Sequence, residues 1–171
     1  MKKIFVLAFM CLLTLAVNAE VKISYKKCGD CEIVIKHYTN WLGADETTYG
    51  LAKDGAVILS PDYEMSYNED LHVIVFRGCE SDAAQAYRLV LYSTHSGKCL
   101  YSGRYFAERN GNNLPWVTFD RKGKYSNAVV HYYHPRGWEK FATKVVGTFF
   151  MKDGKLHQVA EKAVAYEVAV E

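Results

Sequence analysis

The segment KKCGDCEIVIKHY, residues 26–38, places Cys28 and Cys31 three positions apart, with Gly29 and Asp30 between them. Two cysteines at this spacing support three kinds of chemistry. They form a disulfide that holds a fold together, they exchange electrons with another disulfide, or they supply half of a zinc site. The choice depends on the compartment of the protein, on the elements that hold the two thiols and on the other residues of the chain.

The first residues of the chain, MKKIFVLAFMCLLTLAVNA, have the layout of a secretory signal peptide. Lys2 and Lys3 precede an apolar run, and the small residue Ala19 marks a cleavage point. The run is shorter than a membrane-spanning helix requires, and no second long apolar stretch follows it. We therefore expect a signal peptide over residues 1–19 and an exported protein, periplasmic or secreted, with one domain over residues 20–171 and no membrane span.

The mature chain would carry no net charge. Loss of Lys2 and Lys3 lowers the number of basic residues from 21 to 19, which equals the number of acidic residues. A neutral chain without a basic stripe lacks the positive field that attracts a phosphate backbone. Nucleic acid is therefore not expected as a partner.

Turn signals that contain glycine recur along the chain between segments rich in β-branched and aromatic residues. They are KDG at 53–55, HSG at 95–97, RNG at 109–111, RKG at 121–123, PRG at 135–137 and KDG at 152–154. Apolar side chains alternate between the turns, as at Leu71, Val73 and Val75, and several segments are apolar on both faces. This pattern predicts a mainly β fold, a single-domain antiparallel β-sandwich or barrel.

One segment has the periodicity of a helix. Its apolar residues recur at three- and four-residue intervals, and they are Cys31, Val34, Ile35, Tyr38, Trp41 and Leu42. This spacing places them on one face of a short helix over residues 31–42, with Gly43 as its stop.

The cysteines outside the leader predict disulfides, because an exported chain meets oxidising conditions. They are Cys28, Cys31, Cys79 and Cys99, and four cysteines allow three pairings. We favour a bridge between the first two and another between the last two. Cys79 ends one predicted strand and Cys99 begins another, so the two are expected on neighbouring strands.

The order of the strand VKISY, the Cys28–Cys31 segment and the predicted helix resembles the active-site edge of thioredoxin-like proteins. In that family the first cysteine lies at a helix N-terminus, where the helix dipole stabilises its thiolate. The segment NLPWVTFDRKGK, residues 113–124, resembles the loop proline, strand and turn that face the cysteines in that family. The resemblance implies a thiol-disulfide oxidoreductase in which Cys28 is the nucleophile, Cys31 is the resolving thiol and Pro115 faces them.

A zinc site is the third interpretation, but the chain offers no second close pair of cysteines. His131 and His134 are three positions apart on a predicted strand, so their side chains would point to opposite faces. No metal is therefore predicted. The sequence also contains no glycine-rich phosphate loop, no G-x-S-x-G turn and no H-E-x-x-H motif. We accordingly predict no catalytic residue and no cofactor.

Aromatic residues are abundant, with 13 tyrosines, 8 phenylalanines and 3 tryptophans. Tyrosine and tryptophan offer flat faces with a polar tip, which suits stacking on sugar rings or anchoring a protein partner, although many of them also fill β cores. Our candidates for a ligand site are Tyr105, Trp116, Tyr133 and Trp138. The sequence therefore predicts an exported, non-catalytic binding module that recognises a glycan or a protein through exposed aromatic residues. The thioredoxin-like oxidoreductase is the alternative.

Overall fold

The computed structural model describes residues 21–134 and 137–159, with only the backbone at residues 137–139. The predicted signal peptide lies outside the described residues. The strands are β1 (Lys22–Cys28), β2 (Cys31–Thr39), β3 (Asp45–Lys53), β4 (Ala56–Asn68), β5 (Val73–Ser81), β6 (Ala86–Ser93), β7 (Cys99–Phe106), β8 (Trp116–Lys122), β9 (Tyr125–His134), β10 (Gly137–Lys152) and β11 (Lys155–Gln158). The described residues form no helix, so this part of the chain contains no helix that could cross a membrane.

All the strand pairs are antiparallel and belong to one sheet. The sheet runs in the order β1-β2-β3-β4-β5-β6-β7-β9-β10-β11, and β8 pairs with β9 beside this path. Its two ends do not meet, so within the described residues the sheet is not closed into a barrel. The prediction of a mainly β, antiparallel fold is confirmed.

Strands β5 and β6 are buried on both faces, which makes them the middle of three layers. Their first face contributes Val73, Val75, Leu89 and Leu91 to a core shared with β7, β9 and β10. Their second face contributes Ile74, Phe76 and Val90 to a core shared with β2 and β3. Successive side chains of a strand point to opposite faces, so the continuous apolar runs of β5 and β6 serve two cores at once.

Strand β4 joins the first part of the sheet to the second. Its residues 56–63 pair with β3 and its residues 64–68 pair with β5. Within the pairing with β3, Ser60–Asp62 leave the ladder as an irregularity and pass over Gly50, where a Cβ atom would lie 2.5 Å from the carbonyl oxygen of Leu59. The close crossing therefore requires glycine at this position for lack of space.

The two KDG signals form the tight hairpins that the sequence predicts. Asp54 and Gly55 have φ of 51° and 78°, and Asp153 and Gly154 have φ of 52° and 69°. Two successive residues with positive φ define the type I′ turn, whose twist matches that of the flanking strands. These turns connect β3 to β4 and β10 to β11.

The prediction of a helix over residues 31–42 is wrong, because the segment Cys31–Thr39 forms the strand β2. Ile33 faces one core, and Val34, only 1% exposed, is buried on the opposite face. A strand buried on both faces produces an apolar run that also contains the intervals of a helix. Trp41 and Leu42, which the helix would bury, are 90% and 70% exposed.

Candidate functional site

Cys28 and Cys31 face each other across the two-residue turn between β1 and β2. Gly29 has a φ of 61° at the first turn position, as in a type II′ hairpin. The Asp30 N–H donates to the carbonyl of Thr94 at 3.0 Å, and a Cβ atom at Gly29 would lie 2.9 Å from the same oxygen. The turn is therefore packed closely against the loop after β6. Paired residues of adjacent strands point to the same side, so the two thiols are neighbours.

Both thiols are free in this structure. Cys31 is buried, Cys28 is half-buried, and burial raises the pKa of each thiol. A hydrogen bond from the Tyr67 hydroxyl acts in the opposite direction on the pKa of Cys28, but its effect is smaller. A raised pKa lowers the thiolate fraction at neutral pH, whereas a redox nucleophile needs a larger one.

The surroundings of the cysteines differ from those implied by the thioredoxin-like resemblance. Cys31 opens a strand and not a helix, so no helix within the described residues places its dipole on the thiols. The cysteine turn lies beside Thr94, whose backbone N–H donates to the carbonyl of His72, the residue before β5. Pro115 is buried near Arg77, which donates to its carbonyl at 3.1 Å. Val73, which follows His72 as the first residue of β5, and Arg77 are about 13 Å apart along this strand. The structure therefore does not place Pro115 against the cysteines.

The predicted bridge between Cys79 and Cys99 does not occur in this structure, where both thiols are free. Strand β6 lies between the strands that carry them, and Cys79 pairs with Tyr87 whereas Cys99 pairs with Tyr92. These two partners are about 16 Å apart along β6. A disulfide requires Cα atoms within about 7 Å of each other.

The outer side of β8, β9 and β10 carries a group of ring side chains that we call the aromatic face and define as Trp116, His131, Tyr133 and Phe141. Trp116 pairs with His131 across β8 and β9, and their rings stack with centroids 4.8 Å apart and an interplanar angle of 4°. The Phe141 ring lies 5.6 Å from Trp116, 5.7 Å from His131 and 5.8 Å from Tyr133. Phe141 therefore contacts the other three members.

The rings of the aromatic face are supported by one another and by the sheet. Trp116 is 38% exposed and Phe141 is 49% exposed. His131 is held on the sheet because its Nε2 atom lies 2.8 Å from the Thr118 hydroxyl. Rings that are already fixed lose little side-chain freedom on binding, so more of the contact energy contributes to affinity.

A pocket of about 220 Å³ adjoins Trp116 and has Glu64, Ser66 and Arg77 in its polar lining. The Arg77 guanidinium contacts the Glu64 carboxylate and donates to the carbonyl of Pro115. Its Nε atom is buried and has no hydrogen-bond partner among the described residues. The pocket therefore combines a neutral ion pair with a donor that a ligand or a water molecule could satisfy.

The predicted aromatic candidates are not all gathered at this face. Trp116 and Tyr133 belong to it. Tyr105 is only 6% exposed and packs in the core, so it is not an exposed anchor. Trp138 belongs to β10, but its side chain lies outside the described residues.

Sequence reasoning missed His131 and Phe141 as members of the aromatic face. The alternation along β9 places His131 on the same side as Tyr133, which is a signal that the sequence does contain. Phe141 joins them through the register of β10 on β9, where it pairs with Tyr133. That register includes a shift between Gly137 and Phe141, so spacing alone could not give it.

The turn between β2 and β3 exposes a second tryptophan, and we call residues 40–44 the hairpin tip. The Asn40 side-chain oxygen accepts hydrogen bonds from the N–H groups of Leu42 at 2.9 Å and Ala44 at 3.0 Å. Gly43, with a φ of 81°, donates its N–H to the Asn40 carbonyl at 2.9 Å. These bonds fix the turn while Trp41 and Leu42 point into solvent. Asparagine and glycine around the pair are turn signals that the helical periodicity obscured.

Across residues 21–134 and 137–159, no group of three or more His, Cys, Asp or Glu residues is placed to hold a metal ion.

Comparisons of the chain with protein-family models, with curated proteins and with solved structures gave no match.

Proposed function

We propose that the protein is a non-catalytic binding module that recognises a glycan on the aromatic face. The observation that carries this proposal is the pair of exposed rings, Trp116 and Phe141, which lie beside His131 on one side of the sheet. Sugar rings have apolar faces that stack on aromatic rings, while their hydroxyls need hydrogen-bond partners. The exposed rings would supply the first requirement.

The pocket beside Trp116 supports the second requirement. Its ion pair between Arg77 and Glu64 has no net charge, and the buried Nε atom of Arg77 has no acceptor among the described residues. A neutral sugar presents hydroxyls that both donate and accept, which suits a carboxylate beside a guanidinium. A neutral sugar residue is therefore the ligand class that this pocket favours.

The test is a glycan-array screen followed by calorimetry with the sugar that binds. Trp116→Ala and Phe141→Ala should each weaken binding about tenfold, because each removes one stacking surface. Trp41→Ala is the matched control, since it removes an exposed tryptophan from another part of the molecule, and its affinity should match that of the unmodified protein. An empty array, or equal affinities for all three variants, would contradict the proposal.

The hairpin tip favours a second candidate function, which is recognition of a protein partner. Trp41 and Leu42 form an exposed apolar pair on a turn that Asn40 holds in place. Tryptophan is enriched among the residues that dominate binding energy at protein interfaces. The acidic side chains of Asp45 and Glu46 follow the tip directly, which favours a partner with an apolar socket and a basic rim.

Cross-linking in the native compartment tests this second candidate. A cross-linked species should form with the unmodified protein and with Trp116→Ala, but not with Trp41→Ala or Leu42→Ala. A species that forms equally with all four proteins, or that is lost only with Trp116→Ala, argues against the tip.

We also propose that the protein works outside the cytoplasm, on the evidence of the leader. N-terminal sequencing of the protein isolated from the cell envelope or the medium should begin at Glu20. An intact Met1 on protein that stays in the cytoplasm would count against export.

A further inference from the structure

We propose that the gap that β7 leaves beside β9 and β10 is a binding site for a compact oxyanion, a carboxylate or sulfate group carried by a ligand. This site is separate from the aromatic face and does not depend on the proposed glycan function. Tyr132, which lines it, and His131, which belongs to the aromatic face, are adjacent residues of β9 and point to opposite sides of the sheet.

The gap arises because β7 and β9 pair at a single position, Phe106 with Tyr133, in the described part of the chain. The strands diverge beyond this pair and leave a pocket of about 300 Å³. Its lining contains Tyr101, Arg104, Tyr105, Phe106, Tyr132, His134 and Lys144, and no Asp or Glu. The lining therefore carries positive charge and hydroxyl groups without a carboxylate that would repel an anion.

The tyrosine hydroxyls provide at least one donor without an acceptor. The hydroxyl oxygens of Tyr101 and Tyr105 lie 2.5 Å apart and share one hydrogen bond. Two hydroxyls have two protons, so one proton remains to be donated, and no further acceptor for it occurs among the described residues. Burial raises the pKa of Tyr105, which keeps its hydroxyl protonated at neutral pH.

Gly103 makes this arrangement sterically feasible. A Cβ atom there would lie 2.3 Å from the Tyr101 hydroxyl, so Tyr101 reaches Tyr105 by lying across a residue that has no side chain. The Tyr105 ring is held in turn against Tyr132, with centroids 4.9 Å apart. These contacts therefore hold the hydroxyl groups of Tyr101 and Tyr105 in position.

Arg104 and Lys144, which carry the positive charge of the pocket, differ in the contacts of their charged groups. Arg104 is 3.3 Å from a Glu80 carboxylate oxygen and also lies over the Phe106 ring. Lys144 is exposed and has no acceptor for its ammonium group among the described residues. Lys144 therefore supplies the charge for an anion, and the tyrosine hydroxyl supplies a directional hydrogen bond.

The experiment titrates the full-length mature protein with sodium sulfate and, separately, with sodium acetate, each balanced with sodium chloride to constant ionic strength. Two-dimensional NMR should show saturable shifts at Tyr105, Tyr132 and Lys144. Tighter binding of acetate would assign the group as a carboxylate, and tighter binding of sulfate would assign it as a sulfate. Shifts that rise linearly without saturation would overturn the proposal.

Two variants locate the anion within the pocket. Lys144→Gln should weaken binding about tenfold, because it removes a charge-assisted contact. Tyr101→Phe should weaken it several-fold and leave the net charge unchanged. Lys124→Gln is the matched control, since Lys124 lies over Tyr125 at 5.1 Å and is not part of the pocket lining. Equal losses in Lys144→Gln and Lys124→Gln would show that the anion senses only net charge, and the proposal would be wrong.

Discussion

The aromatic face and the hairpin tip both present a tryptophan to solvent, but they support it differently. Trp116 lies flat on His131 and contacts Phe141, so ring partners on neighbouring strands hold it. Trp41 is 90% exposed, and the order of its surroundings comes from backbone hydrogen bonds to Asn40. Side-chain packing therefore orders one surface and turn geometry orders the other. The same substitution should have very different effects on stability at the two places.

The largest effect on stability is expected at Gly50, which lies in β3, the second strand of the hairpin that carries the tip. Gly50→Ala should lower the free energy of unfolding by about 3 kcal/mol, because the new Cβ atom would meet the backbone of β4 rather than a movable side chain. Urea denaturation measures this difference. Gly43→Ala is the matched control at the tip itself. It has open space but a φ of 81°, so its cost should be about 1 kcal/mol. Equal costs would show that the crossing of β4 does not constrain this hairpin.

Removal of the tryptophan from the aromatic face should have the next largest effect. Trp116→Ala should cost about 2 kcal/mol, because it deletes a partly buried ring and its stacking on His131. Urea denaturation of Trp116→Ala, His131→Ala and the double variant gives the coupling between the two rings. Strictly additive losses would mean that the stacking contributes nothing to stability.

Loss of the side chain that orders the tip should have a smaller effect. Asn40→Ala removes the acceptor of two backbone hydrogen bonds at an exposed turn, which should cost about 1 kcal/mol. The amide protons of Leu42 and Ala44 should then exchange faster with solvent, whereas those of β8 should not. Unchanged exchange at the tip would show that the backbone hydrogen bonds of Asn40 with Gly43 and Ala44 hold the turn without this side chain.

The smallest effect is expected for the exposed tryptophan of the tip. Trp41→Ala should change the free energy of unfolding by less than about 0.5 kcal/mol, since the ring buries little surface. The comparison with Trp116→Ala in the same urea titration is the measurement. A loss as large as that of Trp116→Ala would show that Trp41 packs on the protein in solution.

The sequence predicted the elements of the fold better than their positions relative to one another. The β-branched and aromatic residues of β5 and the Asp-Gly turns at Asp54 and Asp153 are local signals, and they correctly predicted strands and hairpins. The helix prediction failed at Val34, because the burial of its side chain on the second face of β2 depends on how the rest of the sheet folds over this strand. The predicted disulfide between Cys79 and Cys99 is wrong for a related reason. Their strands are separated by β6, and the offset between them is set by strand register.

The aromatic face could be predicted only in part for the same physical reason. Trp116 was recognisable as a candidate from its residue type. Its contact with His131 depends on the pairing of β8 with β9, and its contact with Phe141 depends on the irregular start of β10. No local pattern specifies pairings of this kind, because they follow from the packing of the whole domain.

Strand β4 has a consequence for any attempt to divide this protein into fragments. The same strand is hydrogen-bonded to β3 along its first half and to β5 along its second half. A fragment that ends before β4 would leave one side of β3 without hydrogen-bond partners. A fragment that begins after β4 would leave one side of β5 without them. Neither piece should fold alone, so a split reporter or a domain transplant would have to keep residues 22–158 as one unit.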